Sequence, residues 1–175
     1  MLAAKGFTIE HVRLSRLLPW KAGFERIDAH LRADIRKALW EKFAWIAAGG
    51  SMMAVTRSPI GDVLGSPGTR RLLVTALQEV DAVARAEGIP VGADLVERTV
   101  ALGQSLEPML KSSMLRDLER GNRLEVDALN GAVVRLGGKH GVSTPVNSFI
   151  YDLLKLDDEK NRRRAATPDV RVKTP

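Results

Sequence analysis

The chain of 175 residues has no cysteine, which excludes disulfides, thiolate nucleophiles and cysteine-held zinc or iron–sulfur centres. That absence suits a reducing compartment, and the chain reads as cytoplasmic. Aromatic residues are only 5% of the total. A core drawn from the 45% that are hydrophobic must therefore be mostly Leu, Val, Ala and Ile. Long hydrophobic runs are lacking as well. The longest uncharged stretch, residues 43–56, has 14 residues and two glycines. A membrane-spanning helix needs roughly 20 apolar residues, so no membrane partner is expected. The first 24 residues are mildly basic and hold no secretory apolar run. His11, His30 and His140 stand alone, without metal-ligand spacing. No two glycines are spaced G-x-G, so the dinucleotide-binding fingerprint is missing. Gly138-Lys139-His140 lacks both the final Ser/Thr and the upstream spacing of a P-loop.

What is present begins with charge. The net charge is +6, and its location decides what it implies. Residues 1–42 hold 9 basic and 5 acidic side chains, residues 43–156 hold 12 of each, and residues 157–175 hold 6 and 4. The excess sits in the flanks around a neutral body. A nucleic-acid partner is therefore not expected, since such proteins carry a basic face on the folded domain.

The hydrophobic pattern is helical. Ile35, Leu39, Phe43, Ile46 and Ala47 recur at helical spacing and predict a helix over residues 33–57, interrupted by Gly49-Gly50. Ser58-Pro59 ends it, and residues 58–68 read as a connector. Leu72, Leu73, Ala76, Leu77, Val80, Val83 and Ala84 give residues 69–87 a wide apolar stripe, stopped by Gly88. A shorter helix is expected over residues 93–106, then a break at Pro108. Ser112 or Ser113 can cap a helix that Gly121 closes. Residues 126–140 form another striped helix, and Thr144-Pro145 reads as a capping Thr with Pro at the first helical position. From Asp157 the apolar pattern stops. The expected fold is an all-α multi-helix bundle. A leader or linker occupies residues 1–26, the helical domain residues 27–156, and a charged, mobile tail residues 157–175. Within the first 32 residues, Phe7-Thr8-Ile9 and His11 to Leu14 suit short strands or a helix equally.

Three segments place polar residues in apolar settings. In Trp40-Glu41-Lys42-Phe43-Ala44-Trp45, Lys42 either snorkels outward or presents an ammonium as a proton donor beside apolar walls. In Lys111-Ser112-Ser113-Met114, two hydroxyls stand beside the free N–H groups of a helix start, which can be a plain cap or a seat for a carboxylate. In Glu125-Val126-Asp127-Ala128-Leu129-Asn130-Gly131, the acids either complement a helix dipole or aim a carboxylate at a ligand hydroxyl.

Taken in order, the runs WEKFAWIAAGGSMMAVTRSPIGDVL and SSMLRDLERGNRLEVDALNGAVVRLGGKHGVSTPVN resemble the C-terminal helical domain of ketopantoate reductase, or 2-dehydropantoate 2-reductase. The elements SSM-x-x-D, E-x-D-x-L-N-G and HG-x-x-TP-x-N carry the resemblance, which covers residues 27–155. It implies a reductase of pantothenate biosynthesis that takes hydride from NADPH on a Rossmann domain and delivers it to a 2-oxo acid in the cleft. By position, Lys42 resembles the family's proton-donating lysine. Ser113, with Ser112 and the backbone of Lys111, resembles the cradle for the substrate carboxylate. Glu125 resembles the acid that contacts the ligands, cofactor included, across the cleft. Where many members have asparagines one and two turns after the lysine, this chain has Ile46 and Gly50, and Ile60 and Leu110 replace two more. Polar contacts to a hydroxylated substrate are therefore expected to be fewer. The resemblance contains no Rossmann half, so the chain alone is expected to be inactive. Helical domains of this kind also pair through apolar faces, so a homodimer, or a purely non-catalytic interaction module, is the alternative.

Overall fold

The computed structural model describes residues 34–166, and among them there is helix and no strand. The all-α expectation holds. The ambiguous segments before residue 33 lie outside the described residues. Residues 34–38 open the first helix, where the Asp34 carboxylate accepts the Lys37 N–H at 3.0 Å. The compact body begins at Leu39.

Helix α1 (Ile35–Ala44) passes into a π-helical turn (Trp45–Gly50) and on into α2 (Ser51–Thr56) without a break. Gly49-Gly50 therefore does not interrupt the helix; it sits in a widened turn of it. The reason is packing. A Cβ on Gly49 would lie 2.8 Å from the Trp45 ring, so the missing side chain lets that indole lie across the helix's own backbone. Gly50 differs: its backbone is ordinary right-handed helix, and a Cβ there would meet only Ser112 Cβ at 3.8 Å. Gly49→Ala is thus expected to destabilise by about 1–3 kcal/mol through overpacking. Gly50→Ala should stabilise by about 0.4–1 kcal/mol. Urea midpoints of the two variants check the opposite signs.

The stretch expected as a connector after Pro59 holds a short helix, α3 (Ile60–Gly65), which buries Ile60 and Val63. Two backbone bonds, Ile60 N to Leu110 O at 3.0 Å and Gly61 N to Pro108 O at 2.8 Å, tie it to the segment before α6. The central element is α4 (Pro67–Ala86). Its stripe of Leu73, Ala76, Leu77, Val80, Val83 and Ala84 is fully buried. It packs against α3, α5 (Leu95–Ser105), the π turn, α7 (Asn130–His140) and α8 (Pro145–Ala166). Each large side chain so buried contributes about 1.5–3 kcal/mol. Between α5 and α7 lie α6 (Ser113–Arg120) and a single 3₁₀ turn (Glu125–Asp127). The helix expected over residues 126–140 is therefore a 3₁₀ turn followed by a shorter helix.

Two expectations about α8 need correcting. Its first-turn N–H groups find their acceptor in another helix: Glu79 of α4 accepts from Val146 N and Asn147 N, both at 2.9 Å. Nor does order stop at Asp157, because α8 runs on to Ala166. Polar residues hold this extension. Fully buried Asp158 accepts the Leu124 N–H at 2.8 Å, and Asn161 donates to Asn122 O at 2.7 Å. An apolar periodicity has no signal for that kind of docking.

Candidate functional site

The π turn organises the site. A π turn leaves carbonyls out of the ordinary ladder, and such turns are frequent at functional sites. Here two carbonyls are claimed by neighbouring segments. Gly50 O accepts from Ser112 Oγ at 2.9 Å, and Ala47 O accepts from Asn130 Nδ2 at 3.0 Å. The first bond seats the start of α6, and the second seats the start of α7. The three polar segments, those of Lys42, of Ser112-Ser113 and of Glu125 to Asn130, are thereby anchored to one turn.

The bond to Asn130 belongs to a larger buried network. Ser51 Oγ donates to Asn130 Oδ1 at 2.6 Å, and Asn130 Nδ2 also donates to Asn147 Oδ1 at 3.0 Å. Asn147 Nδ2 in turn donates to Ala76 O at 3.1 Å and Glu79 Oε2 at 2.7 Å. Ser51, Asn130 and Asn147 are fully buried, and no buried side-chain polar atom among the described residues lacks a partner. The asparagines of the E-x-D-x-L-N-G and HG-x-x-TP-x-N motifs thus serve as scaffold. Their place in the motifs was readable from the sequence; Ser51 and Glu79 carried no signal there.

The candidate residues divide by what their side chains already hold. Lys42, in the last turn of α1, is exposed and has no ion pair or hydrogen bond among the described residues. Its neighbour Glu41 is taken by Arg98 at 3.0 Å. Ser112 caps α6, accepting the Leu115 N–H at 3.0 Å while donating to Gly50 O. Lys111 pairs with Glu119 at 2.6 Å. Ser113 is exposed at the first position of α6 and its hydroxyl has no partner among the described residues. The first N–H groups of a helix have no carbonyl behind them, so Ser113 lies where an anion is favoured. Glu125, exposed on the 3₁₀ turn, has no side-chain partner among the described residues. Lys42, Ser113 and Glu125 remain open to a ligand, while Ser112 and the Lys111 ammonium are committed within the fold.

Asp127 stands apart from its neighbour Glu125. It accepts from Lys155 Nζ at 2.6 Å and from Tyr151 OH at 2.9 Å, which clamps the 3₁₀ turn to α8. The Lys155 bond first, then the Tyr151 bond, hold its pKa below the ordinary carboxylate value. A carboxylate with a depressed folded pKa contributes stability above its unfolded pKa of about 4, and that stability is lost as pH falls through the folded value. Asp127→Asn should therefore lower the urea midpoint at pH 7. The gap to the parent should shrink as the pH falls below about 4.

Beside Lys42 on the same helix, Leu39, Trp40 and Phe43 join Ala132 and Leu136 of α7 around an open apolar groove of about 370 Å³. The Trp40 and Phe43 rings meet edge to face at 5.3 Å. None of the polar candidates lines this groove. Among the described residues no group of acidic and histidine side chains could hold a metal, and no helix is long and apolar enough to cross a membrane.

The same stretch of chain matches a known family profile. Residues 34–158 fit the family described as Ketopantoate reductase PanE/ApbA C terminal. The chain belongs to the ketopantoate reductase family. The 2-dehydropantoate 2-reductase of Caulobacter vibrioides is 31% identical over 128 residues, covering 73% of this chain and 43% of that protein. Among solved structures, the PanE/ApbA family ketopantoate reductase of Ralstonia eutropha superposes with a TM-score of 0.73 at 31% identity. It covers 78% of this chain and 45% of the other. The dimeric ketopantoate reductase of Staphylococcus aureus gives a TM-score of 0.73 at 27% identity, over 78% of this chain and 48% of that one. The chain thus spans under half the length of the ketopantoate reductases it matches, and the part it matches is their C-terminal helical domain.

Proposed function

We propose that this chain is the substrate-binding, proton-donating half of an NADPH-dependent 2-oxo acid reductase of the ketopantoate type, inactive by itself. The observation that carries this reading is the convergence of three motif segments on one π turn, with Lys42, Ser113 and Glu125 left free among the described residues. The described residues do not fit NADPH alone, because they contain no strand and no glycine-rich turn to cradle a pyrophosphate. The cofactor would be held by a nucleotide-binding domain, with Glu125 the residue of this chain that faces it.

In this reading the substrate carboxylate rests on the first N–H groups of α6 and the Ser113 hydroxyl. The ketone oxygen points to the Lys42 ammonium, which stabilises the growing negative charge and gives up a proton to complete the alcohol. Exposure of Lys42 lets solvent return that proton. The absence of cysteine agrees with a cytoplasmic setting. The test is direct: the chain incubated with NADPH and ketopantoate should show no turnover, and a separately expressed nucleotide-binding domain should restore it.

A second reading, a non-catalytic module that pairs with another copy, draws on α8. Phe149, Leu153 and Leu156 stand exposed at positions three or four residues apart, an apolar stripe unlike a solvated face. Sedimentation decides: this reading expects a dimer that Phe149→Asp dissociates, and a strict monomer overturns it.

A further inference from the structure

We propose that the 2-oxo acid taken by this site has a purely apolar side chain, without a hydroxyl; this rests on the reading just given. The reasoning concerns the strip between the two ends of the site. Lys42, Ile46 and Gly50 follow each other at four-residue intervals, so they lie along one side of the continuous helix. At the far end Gly50 is buried beneath Ser112, whose hydroxyl bonds its carbonyl. A molecule that touches both the Lys42 ammonium and the start of α6 must lie against Ile46, which is half-buried and so reachable.

Polar atoms that could receive a substrate hydroxyl on that strip are buried as well as bonded. Ala47 O and Gly50 O accept from Asn130 and Ser112, and Ser51 is fully buried with its hydroxyl on Asn130. On the approach to α6 the polar groups are likewise bonded. Leu110 is half-buried and its carbonyl accepts from Ile60 N, Lys111 pairs with Glu119, and Ser112 both donates and accepts. Ser113 and Glu125 remain: the carboxylate takes the first, and the second faces the cofactor in the reading just given. A hydroxyl on the substrate's side chain would leave water for a wall of Ile46, glycine backbone and Leu110 with nothing to bond, which is unfavourable.

The probes are ketopantoate and 3,3-dimethyl-2-oxobutanoate, which is ketopantoate less its hydroxyl and so nearly equal in shape. Each is titrated into the full, ¹⁵N-labelled chain, following the backbone N–H signals of Ile46 and Ser113. The deoxy compound should bind about 10-fold more tightly, and Ile46→Asn should narrow or invert that ratio by strengthening ketopantoate. Equal or tighter binding of ketopantoate by the parent chain overturns the apolar specificity and leaves the reductase reading standing. If neither compound moves those signals, or if Lys42→Ala and Ser113→Ala leave the binding of both unchanged, the site itself is wrong and the specificity falls with it.

Discussion

Replacing Lys42 with alanine should lower NADPH-dependent reduction, measured with a nucleotide-binding domain added in trans, by about 10²- to 10⁴-fold. That range is the usual contribution of a positioned proton donor, and among the described residues no other lysine of the candidate segments is free to replace this one. Lys111 is held by Glu119 and Arg98 by Glu41. Lys42→Arg should fail almost as badly, because a guanidinium keeps its charge but does not surrender its proton near neutral pH. Stability gives the control. Lys42 is exposed and supports no bond among the described residues, so either variant should unfold within about 0.5 kcal/mol of the parent. A large rate loss with an unchanged urea midpoint separates chemistry from folding. A variant that keeps its rate would remove Lys42 from the mechanism.

Asn130→Leu should have the largest effect on stability, about 3 kcal/mol or more. The shape is nearly conserved, but the substitution leaves Ala47 O and Asn147 Oδ1 without their partner in a fully buried place, and Ser51 Oγ with only a weak bond to Met114 Sδ. Each abandoned buried group costs about 1–3 kcal/mol. Domains are stable by only about 5–15 kcal/mol in total, so this variant should be partly unfolded at physiological temperature. Because Asn130 also fixes Ala47 O, the distortion reaches the π turn and hence the strip carrying Lys42. Chemical denaturation measures it: a midpoint equivalent to less than about 1 kcal/mol of loss would mean the network is incidental.

The elements of this fold were legible where apolar spacing defined them. The stripe of α4 from Leu73 to Ala84 is buried as its periodicity requires, though Leu72, expected with it, stands exposed, and Ser112 caps α6 as its place before Met114 suggested. The rest depended on partners distant in sequence. Gly49-Gly50 reads locally as a helix breaker, yet Trp45 lies across Gly49 and keeps the helix continuous as a π turn. Thr144-Pro145 reads as a self-contained helix start, while the acceptor for that start is Glu79, more than sixty residues upstream. Asp157 onward reads as a tail because its contacts are hydrogen bonds through Asp158 and Asn161. In the site, residue types at motif spacing pointed to three segments that the π turn draws together. What they did not reveal is which members are free: the Ser112 hydroxyl and the Lys111 ammonium are committed to Gly50 and Glu119. That division rests on pairings 62 residues apart in one case and eight in the other.

The most direct test of the central claim is NADPH oxidation with a 2-oxo acid in three preparations: this chain alone, the chain with a nucleotide-binding domain of the same family, and that mixture with Lys42→Ala. The expected result is no turnover in the first, turnover in the second, and loss of about two orders of magnitude or more in the third. Turnover by the chain alone, or undiminished turnover with Lys42→Ala, would contradict the claim that this helical domain supplies the substrate seat and the proton while the cofactor is held elsewhere.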